Sequence, residues 1–501
     1  MKEVLMTREE QIVSLRSALD WLKDDVEVIE AEVDPVLEAG ALHKAFDDGP
    51  VLLAENLKGY PYARMVMNFW GRQERMVKIM GLTDYSQAKL KLLDAIKHPI
   101  PPKEVKTAPC HEVFIPREQV DPMALFPMVK YTEADGGRFF GNGVFFISGK
   151  VCEEGTNQLT FHRMSFRGKD YASINISPGQ HTEMIANKFY RGKIPVTINI
   201  CPNPMVELMA ISQFHASIFP QIDEIGAAGA LQGSPVEIVK AKTVDAYAIA
   251  NSEWTIEGYI VPSGRVWETE EAEKLGQQGV APFHPEWTRY LGRAYKSKRF
   301  ELTAVTRRKD KPIFFFPWGG WAIYTSLAAC AWELGERISP GLVVDVNTSH
   351  ALTQLGGVII QVRKRRESDE GLQRNLLGTI LEMFRGLRLA IVVDEDVNIW
   401  SADDVLWALT TRVNPGTGIV RAIGGRGQAY QPGEKLGGAS AYNGGIGLDA
   451  TVPFESKERF ARARFAVDKF DFTRWLSRDR IKAIKSRQRE YFRWMGEAGY
   501  Y

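Results

Sequence analysis

Cysteine is scarce in this chain. The four present, Cys110, Cys152, Cys201 and Cys330, stand too far apart for a disulfide framework or a zinc knuckle, and a reducing cytoplasm is the expected compartment. An excess of one charge is missing too. Lys and Arg total 63 against 62 Asp and Glu, a formal charge of +1, so no global field gathers polyanions and no nucleic-acid partner is expected. The N-terminal MKEVLMTREEQ carries acids where a signal peptide places its apolar core, so no secretion or transit signal is visible. The longest uncharged run, Pro312 to Trp332, is interrupted by Pro317, Gly319, Gly320, Thr325 and Ser326. It reads as a buried strand, a turn and a buried helix, and no membrane association is expected.

Several catalytic signatures are absent as well. The eight histidines, at 43, 98, 111, 162, 181, 215, 284 and 350, form no HExxH, and there is no GxSxG. The glycines form neither GxxxxGK[ST] nor a GxGxxG between a strand and a helix. Zincins, nucleophile-elbow hydrolases, kinases, P-loop enzymes and ordinary dinucleotide oxidoreductases are thereby disfavoured.

What is present, 501 residues at 45% hydrophobic and 25% charged, suits a folded chain of several domains. Thr7 and Glu10 read as a capping box before a helix with Ile12, Leu15, Leu19 and Leu22 on one face. The proline-rich HPIPPKEVKTAPC, from His98 to Cys110, reads as a linker. From about 110 to 310, strand-like pieces such as GNGVFFISG, YASINI, KIPVTINI and RFELTAVT alternate with turns, and Pro204 to Phe219 and Gln221 to Leu231 could add short helices. LGGVIIQV, GLQRNLLGTILEMFRGLRL and LAIVVDED then read as a βαβ unit. Eleven glycines between Gly416 and Gly447 suggest a long loop wrapping a partner or covering a site. The chain closes on a basic helix with Trp475, Ile484, Tyr491 and Trp494 available to dock, a candidate subunit contact.

Inside the β-rich region lies a set of polar residues: Gln158, His162, Arg163, Gln180, His181, Asp223, Glu224, Glu253, Glu257, His284 and Glu286. Glu253 and Glu257 read as structural carboxylates on one face of an extended segment. The triplet Asp394, Glu395 and Asp396 reads as a helix cap or a subunit contact. The basic runs RRKDK at 307–311 and RKRR at 363–366 read as solvated loops, with the phosphates of a CoA thioester as the functional alternative.

The ordered runs NQLTFHRMSFRG, SPGQH, IDEIGAAGALQGSPVEIVKAKT, ANSEWTIEGYI, DVLWALTTR and GIGLDAT, spread from about residue 100 to 455, resemble the UbiD family. The resemblance implies an α+β protein: a split β-barrel flavin-binding domain plus an α/β oligomerisation domain, with a helical N-terminal region and a C-terminal helix. The corresponding boundaries are 1–105, 106–325, 326–472 and 473–501. It also implies prenylated FMN, a divalent metal (manganese, with magnesium or iron as alternatives) and potassium. The family's Asn, His and Glu metal ligands match Gln158, His181 and Glu224, of which Gln158 departs by one methylene. Oxygen-rich ligation with one imidazole suits manganese or magnesium. Thr160, Phe161, His162, Arg163 and Gln180 are the further expected cofactor contacts.

The family pairs one arginine with two acids, and Arg163 matches the arginine, a fork that can hold a carboxylate bidentately. The acids usually lie in a stretch of the form EGPFGE, whose nearest counterpart is QGVAPFHPEW. Glu286 is therefore the expected proton donor and acceptor, Gln278 stands where the other acid belongs, Glu271 and Glu273 are possible substitutes, and His284 could tune or replace an acid. The implied activity is reversible decarboxylation of an aromatic or heteroaromatic carboxylic acid, exchanging CO2, with the flavin as electron sink. A CoA-thioester decarboxylase and a flavin-binding non-catalytic subunit are the alternatives. A flavin prenyltransferase as cofactor supplier and a homo-oligomer, dimer or hexamer, complete the expectation.

Overall fold

A computed structural model of the protein describes residues 12–500, apart from 142, 150, 152–156, 177–180, 213–217, 220–221, 317–319, 349–351, 353–355, 385, 428–435 and 438–439. By internal contacts the chain divides into two units. The first comprises Met1–Cys330, Thr348–Leu355 and Gln428–Lys435, the second Ala331–Asn347, Gly356–Gly427 and Leu436–Tyr501. Each mixes helices with sheet, so the expected α+β class holds. No described helix is long and apolar enough to cross a membrane.

The first unit is organised by an eight-stranded half-barrel sheet. Its strand order is Gln158–Phe161, Gly143–Ile147, Ile194–Ile200, Trp254–Trp267, Lys296–Arg307, Tyr171–Ile174 and Met164–Phe166, with Val113–Pro116 also paired to Lys296–Arg307. β-branched and aromatic residues such as those of IPVTINI and GVFFI favour the pleated backbone, and Val144, Phe145, Phe146, Ile194, Ile198 and Trp254 are fully buried. The two edge strands, Gln158–Phe161 and Met164–Phe166, are consecutive in sequence, separated only by His162 and Arg163. Three peptide steps reach at most roughly 11 Å. The sheet therefore curls until its edges approach, and Arg163 stands in the seam.

Around this sheet lie the capped helices Pro204–Ile211 and Glu224–Gln232. Asn203 accepts from Val206 N and Asp223 from Gly226 N, and Gly233 closes the second helix in the left-handed conformation. A four-stranded sheet, in order Val26–Val33, Val51–Leu57, Arg64–Met67 and Ile313–Phe315, completes the main architecture. Glu253 and Glu257 are structural here, and wholly buried. Glu253 accepts from Arg16 Nε and Nη2, both at 2.8 Å, and faces Arg308 Nε at 3.2 Å. Glu257 accepts from Lys242 N and Thr243 N.

One buried acid gives the unit a pH signature. Glu207 Oε2 accepts from Trp70 Nε1 at 3.3 Å, and burial pushes its pKa from 4.5 up to about 8. Between those values the folded chain holds a proton that the unfolded chain has released. This stabilisation is complete below pH 4.5 and declines by about 1.4 kcal/mol per pH unit toward pH 8. Glu207→Gln is expected to remove the decline, so that its Tm relative to wild type rises steadily from pH 5 to 8 in a thermal-melt series.

The second unit carries a six-stranded sheet in which Gly357–Val362 and Leu389–Asp394 pair in parallel across the helix Leu372–Met383, as the βαβ pattern predicts. The glycine-rich region departs from expectation. Its described residues include an antiparallel pair, Ile419–Gly427 with Ser440–Ala450, while 428–435 and 438–439 lie outside the described residues. Helix packing explains glycines there: a Cβ on Gly445 would lie 2.7 Å from Leu381 Cδ2, and one on Gly447 3.1 Å from Leu377 Cβ. The sheet admits the helix at that distance only without side chains.

Other expectations are corrected by hydrogen bonding. The supposed linker contributes a short strand, Lys103–Glu104, paired in parallel with Glu237–Lys240, since its backbone finds Val236 O and Ile238 O. The first described helix is Leu15–Trp21, with a capping box formed by Ser14 and Ser17; Thr7 and Glu10 lie outside the described residues. The C-terminal basic helix is two, Arg478–Lys485 and Glu490–Ala498. At the break, Ser486 Oγ bonds back to Ala483 O at 3.0 Å, a local bond that competes with continuation. The acidic triplet caps no helix: Asp394 and Asp396 both hold Arg412, and exposed Glu395 accepts from Arg363 Nε at 2.7 Å.

Candidate active site

The seam of the half-barrel gathers a buried group of opposed charges. Arg163 Nη1 donates to Glu286 Oε1, and Arg163 Nε lies 3.6 Å from Glu268 Oε1. Glu268 and Glu286 are both buried. Glu268 is held rigidly, accepting from Asn175 Nδ2 at 3.0 Å, Ser297 Oγ at 2.9 Å and Tyr295 N at 2.7 Å. The guanidinium also lies 4.9 Å from the Phe283 ring centroid, on the apolar side of the group.

Glu286 follows the strand Pro282–Pro285, which pairs with Leu291–Arg293. Glu286 N donates to Tyr290 O at 2.9 Å, Arg289 N donates to Glu286 O at 2.8 Å, and Arg289 takes φ 66° to close the turn. Gly292 lets the side chain lie flat across the hairpin, because a Cβ there would come within 2.8 Å of Glu286 Cγ and of His284 O.

His284 stacks on Phe139 at 4.2 Å, 10° from parallel. Its Nδ1 is 2.7 Å from Pro285 O, an acceptor only, so Nδ1 carries the hydrogen and Nε2 turns a lone pair toward Arg163 Nη1 at 3.5 Å. Burial, with the Arg163 charge, pushes its pKa down to about 3. The imidazole is therefore neutral near pH 7, and cannot act there as a protonated acid.

Three neighbouring elements carry Gln158, His181 and Glu224. The strand Gln158–Phe161 packs against both the helix Glu224–Gln232 and the helix His181–Lys188. Glu224 Oε2 accepts from Leu159 N, while Gln158 Nε2 donates to Ile222 O at 3.2 Å. Burial holds the Glu224 carboxyl well above its ordinary pKa, and no described side chain forms an ion pair with it. Among the described residues no three His, Cys, Asp or Glu side chains gather as a metal cluster. An amide oxygen, an imidazole and a carboxylate are nonetheless a donor set of the hard or borderline kind, and a buried carboxylate without a cationic side chain is what a cation would neutralise.

The remaining expected contacts are distributed around these groups. His162 is buried against Phe145, with its pKa lowered by burial to about 3, and Thr160 Oγ1 is 3.5 Å from its Nε2. Phe161 is half-buried in the edge strand. Gln180 lies outside the described residues. Gln278 is not brought to Arg163: it is exposed, and its Oε1 accepts from Lys296 N at 3.0 Å. Glu271 and Glu273 are exposed as well, Glu273 pairing with Arg167 at 2.7 Å. The acid that sequence reasoning missed is Glu268. It belongs to the run ETEEAE, and its signal was positional: it precedes Thr269, the cap of the helix Glu270–Leu275, and so remains with the strand backbone instead of turning out on the helix.

An arginine facing two buried acids in the seam of a half-barrel is a site able to hold a carboxylate. Three family models match in succession: the N-terminal domain of 3-octaprenyl-4-hydroxybenzoate carboxy-lyase over residues 20–95, its Rift-related domain over 103–319 and its C-terminal domain over 322–450. The chain belongs to the UbiD family and is a UbiD-like carboxy-lyase, as the sequence motifs led us to expect. It is 30% identical over 490 residues to gallate decarboxylase of Lactiplantibacillus plantarum, covering 91% of this chain and 97% of the relative. Among solved structures, apo 3,4-dihydroxybenzoic acid decarboxylase of Enterobacter cloacae superposes with a TM-score of 0.81 at 29% identity, covering 93% and 99% of the two chains. The UbiD-class enzyme HmfF of Pelotomaculum thermopropionicum in complex with FMN gives 0.79 at 26%, covering 92% and 100%. An evolved dimeric form of HmfF with prFMN gives 0.77 at 26% identity, over the same shares.

Proposed function

We propose that this protein reversibly decarboxylates a free aromatic carboxylic acid, a hydroxylated benzoate in the first instance, using prenylated FMN, a divalent metal and potassium. The carrying observation is Arg163 set between two buried carboxylates, Glu268 and Glu286. The gallate and dihydroxybenzoate decarboxylases among the relatives support the ring class, and the flavin complexes of HmfF support the cofactor. Gln158, His181 and Glu224 would hold the metal. Residues 106–325 would then be the split-barrel flavin domain, 326–472 the oligomerisation domain, 1–105 the N-terminal region and 473–501 a C-terminal appendage.

When bound, the prenylated flavin supplies the electron sink for an otherwise unstabilised aryl carbanion. Arg163 binds and orients the substrate carboxylate through its fork. Glu268 restrains Arg163 from the Nε side, and its own three donors keep it from following the substrate. After loss of CO2, Glu286 delivers a proton to the ring carbon; in the reverse direction it removes that proton. Phe139 and Phe283 keep water from this exchange. Gly292→Ala, which crowds Glu286 and the His284 carbonyl, is expected to lower kcat on the order of tenfold or more, as misplacement of a proton donor does; steady-state kinetics at unchanged flavin occupancy would check this.

The free acid is favoured over a thioester because all four residues of 363–366 and both arginines of 307–311 are already engaged. Arg363 and Arg366 pair with Glu395 and Asp369, buried Lys364 with Glu370, and Arg365 with Pro340 O. Arg308 faces Glu253, and Arg307 stacks over Tyr62 and Trp254. A CoA diphosphate would have to break these contacts. The test of the proposal is native mass and absorbance of protein made with and without a flavin prenyltransferase, followed by CO2 release from hydroxybenzoates. A bound prenylated-FMN mass with turnover supports it; plain FMN or no flavin under both conditions overturns it.

A further inference from the structure

Three lysines among the described residues are buried, Lys89, Lys298 and Lys364, and Lys298 is the poorly partnered one. Lys364 Nζ commits all three donors, to Glu370 Oε2 at 2.8 Å, Thr451 Oγ1 at 3.0 Å and Val452 O at 2.6 Å. Lys89 Nζ donates to Ser86 O. Lys298 is 5% exposed, yet its Nζ meets a single acceptor among the described residues, Pro262 O, at a long 3.4 Å, and no described carboxylate forms an ion pair with it. A buried ammonium without a counter-charge is costly, and burial favours the neutral amine.

The sheet accounts for this isolation. Lys298 lies on the strand Lys296–Arg307 opposite Arg265 of the strand Trp254–Trp267, where the register jumps from Val261 to Arg265. Pro262, Ser263 and Gly264 are passed over, and this bulge turns Pro262 O toward the ammonium. Like charges directly opposed across a sheet repel. Arg265 is exposed and forms no ion pair among the described residues. Arg299, the next residue along, is held by Glu301 and lies over the Tyr171 ring. Burial first and the Arg265 charge second hold the Lys298 pKa below its ordinary value, against the opposing pull of Glu183 on the helix His181–Lys188.

Two neighbouring cations with no carboxylate between them suit an ammonium badly and an anion in its place well. A desolvated lysine beside another cation is also an activated nucleophile. The electrophile is supplied by this protein's own class, since a carboxy-lyase releases or consumes CO2. Ser297, which precedes Lys298, holds Glu268 of the carboxylate site through its hydroxyl, so CO2 formed there arises close to the amine.

We propose that Lys298 is a modification site for CO2, at which the buried amine becomes a carbamate facing Arg265. The nitrogen lone pair of the neutral amine forms the N–C bond as one C=O π bond opens onto oxygen, and nothing is oxidised or reduced. Counted from the ammonium, two protons pass to water. The side chain changes from cation to anion, and its interaction with Arg265 from repulsion to attraction. The inference rests on the carboxy-lyase class and not on which acid is decarboxylated.

The test uses the full chain in isotopically labelled bicarbonate, with no assay of turnover. Carbon NMR should show a carbamate resonance in wild type that is absent from Lys298→Arg, a variant that keeps the positive charge. Trapping with triethyloxonium, which esterifies a carbamate, followed by tandem mass spectrometry should place the adduct on Lys298 and leave exposed Lys296 on the order of tenfold less modified. Arg265→Glu should lower occupancy at a given CO2 pressure on the order of tenfold or more, because it replaces the attraction by repulsion. Arg265→Lys should retain it. Arg265 is exposed, so both variants should melt like wild type. No adduct on Lys298 at saturating CO2, equal modification of Lys296 and Lys298, or an adduct indifferent to Arg265→Glu would each overturn the proposal.

Discussion

Glu286→Gln is expected to lower decarboxylation by roughly 10²–10⁴-fold, the range for removing a positioned proton donor. Flavin content and spectrum should not change, because Glu286 lies on the hairpin and not among the Gln158, His181 and Glu224 donors. The substitution keeps the side chain's length and a hydrogen-bonding oxygen for Arg163, so the loss would report the proton and not the geometry. Glu268→Gln separates the two acids: it weakens the restraint on Arg163 and should act mainly through substrate binding, raising KM more than it lowers kcat. Gln278→Ala provides the control. Exposed and bonded only to Lys296 N among its described contacts, it should leave kcat/KM within about twofold, as surface substitutions ordinarily do for stability as well. Full activity in Glu286→Gln would remove it from the proton-transfer step.

The second large effect concerns His181. His181→Ala is expected to lose metal and flavin together, with metal affinity falling by at least about 100-fold, more than outer-shell changes usually cost. Glu224→Gln should follow it, since the buried carboxylate supplies the site's charge. Elemental analysis and flavin absorbance of the same preparations would decide this, before any assay of turnover. Loss of flavin with metal retained would remove His181 from the metal ligands. Retention of both would remove His181 from the site.

These two predictions draw on different degrees of legibility. The family, the α+β class and the βαβ unit were readable because they rest on local features: strand alternation, helical spacing and short ordered runs such as NQLTFHRMSFRG. Arg163 was legible as a candidate in NQLTFHRMSFRG, and Glu286 in QGVAPFHPEW. Glu268 was not, since four glutamates in ETEEAE look alike until the cap at Thr269 assigns one to the strand and three to an exposed helix. Gln278 illustrates the opposite case, a residue at the expected spacing that a hairpin carries to the surface. The glycine-rich stretch read as a loop because glycine disfavours regular structure locally; the close approach of Leu377 and Leu381 gives Gly445 and Gly447 a reason to lie in a strand.

By itself the sequence determined which chemistry this protein carries, because residue types and their order decide what donors, acids and cations are available. Tertiary structure alone decided which of them meet. Arg163 reaches its acids because the half-barrel curls until strands that flank it by two residues lie at opposite edges of one sheet. Glu268 and Glu286, 105 and 123 positions from it in the chain, arrive from the far end of one strand and from a later hairpin. No periodicity encodes such a meeting: it follows from long-range pairing and from which side chains the core can bury.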